Sequence, residues 1–257
     1  MNNTEMLIAD NIGFVREKIE KAAGRSGRKA ADIKLMAVTK FRSIEEIKAA
    51  HDAGIRLFGE NRVQEALEKF GRSGLNLPDS SLHMIGNLQR NKVKTILPLV
   101  SCIQSVDRIE LLEEIAKRLS GETQQSDTAP FDAASRPLKL LFEVHTGEES
   151  KSGFTCSDDI VRSLEYAEEK NLCVCGFMTM APLIRNPADK TEAEAVRRSF
   201  IKLRETAEAM QKRFACFSFT ELSMGMSGDF ETAVEEGSTL VRVGSRLFYN
   251  PDSENRL

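Results

Sequence analysis

The stretch "LMAVTKFRSIEEIKAAHDAG", residues 35–54, decides the fold. Leu35 to Val38 form a short, unbroken apolar run, the pattern of a strand buried on both faces. Ser43 then offers an N-cap, and Glu46, three residues on, completes a capping box. Gly54 ends the helix between them. Strand, turn and capped helix make one βα unit, and its strand gives way to Thr39-Lys40.

The same unit recurs along the chain. "RLFGEN" (56–61) reads as a strand before a helix over 62–70, and "LHMIG" (82–86) as a strand before a helix in "NKVKTILPL" (91–99). "CIQSV" (102–106) leads into a helix over 107–119, and "KLLFEV" (139–144) precedes one over 157–169. "CVCGFMTM" (173–180) precedes a long helix over 190–213, "CFSFTELSMG" (216–225) one over 229–236, and "LVRVG" (240–244) closes the series. In front of them all, Ile8, Ile12, Val15 and Ile19 mark one apolar helix face. Strands alternating with helices predict parallel pairing. Eight such units in about 220 residues match an α/β (β/α)8 TIM barrel, here with an additional N-terminal helix and a single domain over 1–257. No GxGxxG follows the first strand, which disfavours a doubly wound open sheet. The polar, aperiodic stretch 120–137 is expected to be a flexible loop. It joins a helix to a strand, so it belongs to the face opposite a barrel's active site.

Composition narrows the partners. With 36 Lys+Arg scattered among 39 Asp+Glu and a net charge of −3, no basic stripe points to nucleic acid. The N-terminus lacks the basic and apolar regions of a signal peptide, and no run approaches the ~18 apolar residues of a membrane span. The expectation is a soluble cytoplasmic protein. Five cysteines, mostly in apolar runs, read as core thiols rather than disulfides or zinc ligands.

The candidate site follows from the topology, because the C-terminal ends of barrel strands converge on one face. Lys40 stands at the exit of the first strand. It either reaches solvent or is desolvated beside other cations, which favours an amine able to form a Schiff base with a carbonyl compound. "SMGMSGD" (223–229) and "VGS" (243–245) follow the seventh and eighth strands, where barrels commonly hold phosphate. Ser223, Ser227 and Ser245 offer hydroxyls there, and Gly244 allows close backbone approach. The same loops also read as ordinary turns and caps. A carbonyl-seeking lysine facing a phosphate cradle suits pyridoxal 5′-phosphate (PLP), which carries an aldehyde and a phosphate. Arg242, in the eighth strand, either forms an ion pair or donates to the pyridine nitrogen. In the second case it leaves that nitrogen unprotonated and the ring a weaker electron sink.

In order along the chain stand "AVTK", "FGENRVQE", "HMIGNLQRNK", "SVDR", "ESKSGF", "GFMTM", "LSMGMSGD" and "VRVGSRLF". This series resembles the pyridoxal phosphate homeostasis protein family, related to the barrel domain of alanine racemase, over about residues 35–248. The resemblance implies a Schiff base to PLP on Lys40, Arg242 facing the ring nitrogen, and a phosphate site from Ser223, Ser227, Gly244 and Ser245. It also implies that Asn61 and Met180 border the ring. Departures from the family pattern include Thr39 for serine, Ser245 for threonine, and the "RLFYN" ending.

A racemase needs a base on each face of its substrate. The related racemases take the second, a tyrosine, from a C-terminal domain that has no counterpart in these 257 residues. Tyr166 falls in a predicted helix, Tyr249 lies beyond the last strand, and His51 reads as helix surface. His83 reads as structural, and His145 lies near the mouth. No residue stands out as the second base. The expectation is therefore a non-catalytic, monomeric PLP carrier serving vitamin B6 and amino-acid homeostasis, with apoenzymes as possible recipients of the cofactor. The alternatives are a monomeric PLP-dependent racemase of narrow activity and a sugar-phosphate-binding barrel without PLP.

Overall fold

A computed structural model describes residues 2–71, 74–121, 137–147, 152–186 and 188–249. Helix α1 (Asn3–Arg25) starts at a capping box made by Asn2 and Glu5. Then follow β1 (Lys34–Val38), α2 (Ile44–Asp52), β2 (Leu57–Glu60), α3 (Val63–Phe70), β3 (Ser81–Met84) and α4 (Val93–Ile96). The second half carries β4 (Cys102–Val106), α5 (Ile109–Gly121), β5 (Lys139–Glu143), α6 (Ser157–Glu169) and β6 (Cys173–Met178). It ends with α7 (Lys190–Arg213), β7 (Glu221–Ser223), α8 (Phe230–Glu235) and β8 (Leu240–Val243).

The strands pair in parallel in chain order, and β8 closes onto β1 with Met36 opposite Arg242. The predicted (β/α)8 barrel is the observed fold. Helices α2 to α8 are the seven crossovers. The leading helix α1 packs against both α2 and α8, so it occupies the remaining place in the ring. Its buried stripe is the predicted one, Ile8, Ile12, Val15 and Ile19. The capping box of Ser43 and Glu46 is formed as well.

Two elements are shorter than their sequence suggests. The apolar run 91–99 yields only the single turn of α4, because a 3-10 turn (Arg90–Lys92) precedes it and Pro98 cannot continue it. The predicted strand 216–225 pairs only over β7, since Phe217 and Phe219 leave the ladder to stack on one another with centroids 5.7 Å apart. The stretch expected to be a loop falls, for residues 122–136, outside the described residues. No helix among the described residues is long and apolar enough to cross a membrane.

Most of the core lies between the sheet and the helices, where Phe58, Phe70, Phe142, Phe177 and Phe200 are fully buried. Each such side chain contributes roughly 1.5–3 kcal/mol of burial free energy. Inside the barrel the apolar content falls into two small clusters. Met36, Val38, Ile85 and Leu240 form one, and Cys102, Leu141, Cys175 and Met178 the other. Burial pushes the Cys175 thiol up to about 12 and that of Cys102 well above its ordinary value, so both act as core groups. Between the clusters runs polar material, and that is where the site begins.

Candidate functional site at the C-terminal mouth

Lys40 stands two residues past β1, exposed, with no hydrogen-bond partner among the described residues. The turn carrying it is held from beneath. Thr39 is fully buried and donates to Glu60 Oε1 at 2.7 Å. Lys69, from α3, donates to the Thr39 carbonyl at 2.7 Å, to Glu60 Oε1 at 2.9 Å and to Glu65 Oε2 at 3.0 Å. Glu65 in turn accepts from the Phe41 N–H at 3.0 Å. Phe41 needs this help, because its φ of 61° is left-handed, a conformation that costs a bulky residue about 1–3 kcal/mol. Desolvation holds the Glu60 carboxyl above its ordinary range, against the pull of Thr39 and Lys69. The sequence reading had no role for Lys69 or Glu65. Their only local signal is an i, i+4 Glu-Lys pair, which is common on any solvated helix.

Asn61 follows β2, and its side-chain oxygen is buried without a partner. The end of β3 crowds against it, for a Cβ on Gly86 would lie 2.2 Å from the Asn61 carbonyl oxygen. Such an orphaned acceptor at a barrel mouth is a place for a donor from a bound molecule.

Arg242 projects into the barrel from β8 and is buried. Its guanidinium donates to Ser223 Oγ at 2.6 Å and to the Thr179 carbonyl at 2.8 Å, both neutral oxygens. Desolvation draws its pKa down to about 10, opposed by the fields of Asp229 and Glu143, so it stays a cation at neutral pH. Ser223 is therefore not in the loop where the sequence placed it. Inward-facing alternation on β7 turns its hydroxyl into the barrel, between Arg242 and Gln104 Oε1 at 2.6 Å. Its hydroxyl is engaged by the arginine and the glutamine.

The loops after β7 and β8 are tied to each other. The Gly244 N–H donates to Ser227 Oγ at 3.3 Å, and the Arg242 N–H to the Gly225 carbonyl at 2.9 Å. Asp229 accepts from the Met226 N–H at 2.5 Å and fixes the first loop. The backbone N–H groups of Ser227, Gly228, Ser245 and Arg246 have no acceptor among the described residues. Met180 lies two residues past β6, 38% exposed. The C-terminal mouth thus carries Lys40, Asn61, Met180, Ser227, Gly244 and Ser245 on one rim, with Arg242 below it.

Among known proteins, the alanine racemase N-terminal domain family matches residues 13–251. The pyridoxal phosphate homeostasis protein of Aquifex aeolicus is 37% identical over 244 residues, covering 95% of this chain and 98% of the relative. The chain belongs to the pyridoxal phosphate homeostasis protein family. The Escherichia coli member is 34% identical over 248 residues, 94% of this chain and 95% of its own. The solved structure of PipY of Synechococcus elongatus with PLP bound superposes with a TM-score of 0.72 at 29% identity, covering 94% of this chain and 99% of PipY. Alanine racemase of Enterococcus faecalis ("E.faecalis") shares the fold at TM-score 0.62 and 18% identity, and this chain covers 60% of that longer one.

Within this family's barrel the histidines separate clearly. The His83 ring lies inside the barrel with Nδ1 against Gln104 Nε2 at 2.8 Å, on the N-terminal side of Arg242's bracket. It is not a base at the C-terminal mouth. His51 rides on α2 with Nε2 beside the Pro78 carbonyl at 3.1 Å. His145 follows β5, and its Nδ1 is buried without a partner among the described residues. Tyr166 packs against the core from α6, and Tyr249 is 49% exposed beyond β8.

Proposed function

We propose that this chain holds PLP at the C-terminal mouth, attached through Lys40, and serves intracellular vitamin B6 and amino-acid homeostasis without turning over a substrate. When bound, PLP supplies an aldehyde that condenses with amines and a ring that withdraws electrons from them. The residues suit the group. Arg242 carries the proposal: a buried cation held by two neutral oxygens has donors to spare for the one ring atom that accepts. Lys40 presents an unpaired amine, Asn61 an unpaired acceptor at the ring's edge, and Met180 an apolar flank. The free N–H groups of Ser227, Gly228, Ser245 and Arg246 suit a phosphate, with the Ser227 and Ser245 hydroxyls beside them and Gly244 leaving room for it. Ser223 acts through Arg242. The PLP-bound PipY structure supports the same reading.

Arg242 also weakens the ring as an electron sink in this reading. It cannot protonate the ring nitrogen, so removal of a substrate's Cα proton gains little help. Cytoplasmic location, a monomeric state and transfer to apoenzymes belong to the proposal too. The test is the visible spectrum after incubation with PLP and desalting. Wild type should retain a yellow band that borohydride fixes covalently, and Lys40→Ala should retain none. Equal retention by both would refute attachment at Lys40, and a colourless wild type would refute PLP binding. The orphaned Nδ1 of His145 is the observation that favours a racemase instead. Lys40-dependent, stereospecific exchange of an amino acid's Cα hydrogen, lost in His145→Gln, would establish that activity.

A further inference from the structure

A cavity of about 1460 Å³ opens at the other end of the barrel. Each of the eight strands contributes to its wall, mostly through the first residues of the strand. A (β/α)8 barrel is ordinarily filled with side chains, and its N-terminal end is ordinarily concerned with stability. Here the opening reaches past Lys34, Lys139 and Glu221 at the rim to His83 within.

Three polar groups in the wall of this space have no partner among the described residues, with Lys139 exposed and Glu221 Oε2 buried. Glu221 is 8% exposed; its Oε1 pairs with Lys34, while its Oε2 is buried with no donor. Lys139 has no ion pair or hydrogen bond among the described residues. The third is Nε2 of His83, and its protonation follows from the far side of the barrel. Arg242 can only donate, so Ser223 Oγ accepts from it. The Ser223 hydroxyl hydrogen then goes to Gln104 Oε1. That turns the Gln104 amide N–H toward His83 Nδ1, which must accept. A reversed amide would leave the buried hydroxyl hydrogen without an acceptor. Burial, with Lys34 and Lys139 nearby, pushes the imidazole pKa down, so the ring is neutral with its single proton on Nε2. One arginine thereby fixes a hydrogen-bond donor at the cavity floor.

The unpaired set is one buried acceptor and two donors, one of them a cation. An anion alone leaves Glu221 unsatisfied, and an amine alone leaves Lys139 and His83 unsatisfied. We infer that the N-terminal mouth is a second ligand site, for a molecule with an α-amino acid head. Its ammonium group meets Glu221 Oε2, and its carboxylate meets Lys139 and the His83 Nε2–H. The outer wall, with Leu77, Leu97, Val100 and Leu138, gives the side chain an apolar lining. This site is independent of the PLP reading.

The chain has three histidines, so their ring ¹⁵N signals can be assigned with His51→Gln and His145→Gln. The probe is L-leucine, titrated into PLP-free Lys40→Ala protein so that no amine can react at the other mouth. The free protein should show His83 as the Nε2–H tautomer. Leucine should shift the His83 signals saturably, leaving His51 and His145 unmoved. Its two halves, 4-methylpentanoate and 3-methylbutylamine, should each bind about tenfold more weakly or worse, as should leucine to Glu221→Gln or Lys139→Met. Both positions lie at a strand start and the folded dispersion of the spectra checks each variant. No saturable shift at His83, 4-methylpentanoate binding as tightly as leucine, or unchanged affinity in Glu221→Gln would each overturn the site.

Discussion

The two mouths of this barrel are built from the same eight strands and treat charge differently. At the C-terminal mouth the Lys40 turn and the Arg242 guanidinium are supported from below, while the Lys40 amine and Asn61 Oδ1 have no partner among the described residues. Thr39, Glu60, Lys69 and Glu65 hold the Lys40 turn, and Ser223 and Thr179 hold Arg242. At the N-terminal mouth, Lys34 meets Glu221, but the exposed Lys139 and the buried Oε2 of Glu221 have no partner among the described residues. Supported groups are held ready for one geometry, whereas unanswered ones wait for a partner from outside. The connection between them is the line from His83 through Gln104 and Ser223 to Arg242.

The sharpest test of this contrast is steric. Alanine at Gly86 would drive a Cβ to 2.2 Å from the Asn61 carbonyl, and at Gly176 to 1.8 Å from that of Glu221. Neither backbone neighbour can step aside cheaply, so each change should cost about 3 kcal/mol or more in chemical denaturation. If both fold, Gly86→Ala should weaken PLP retention, and Gly176→Ala should weaken leucine binding. The reverse pattern would break the division between the mouths.

Next in size is Lys69→Met, which strips a buried carboxylate of its cation and should cost about 3 kcal/mol at neutral pH. The sign of its pH dependence follows from Glu60. Burial raises that carboxyl's folded pKa, so the folded state binds the proton more tightly, and its contribution falls as pH rises through the carboxylate range. Removing Lys69 raises it further. The deficit of Lys69→Met relative to wild type should therefore shrink on acidification and be largest near neutrality, as urea melts at several pH values would show. An unchanging deficit would mean that Lys69 acts by packing.

Ser223→Ala should cost about 2 kcal/mol, since it leaves Arg242 and Gln104 each short of a buried partner. It should also loosen PLP while the Lys40 attachment persists, and release the His83 tautomer seen by ¹⁵N NMR. A PLP effect with the tautomer unchanged would sever the proposed line. The smallest expected effect is at Glu165→Gln on the surface. Glu165 and its partner Arg213 are both 56% exposed, so the change should be below about 0.5 kcal/mol.

How much of this could be read in advance depended on range. The apolar run 35–38 and the Ser43–Glu46 box gave β1 and α2, because strand period and helix capping are set by residues three or four apart. Gly-Met-Ser and Val-Gly-Ser at successive strand exits were legible for the same reason. Ser223 was misplaced because a one-residue difference on a strand swaps loop-facing for inward-facing, and the ladder sets where β7 ends. The β7 pattern was further obscured by Phe217 and Phe219, which read as strand residues but stack on each other instead.

By itself the sequence determined the order of strands and helices and the closed parallel barrel they imply. Local propensity and the geometry of βα units suffice for that. Only the tertiary structure decided which residues face one another inside it. Closing β8 onto β1 brought Arg242 opposite Met36 and pointed it at Ser223, and the barrel interior brought Gln104 within 2.6 Å of that serine across 119 residues of chain. The cavity at the other mouth arises the same way, from eight strand starts that are neighbours only once the ring is closed.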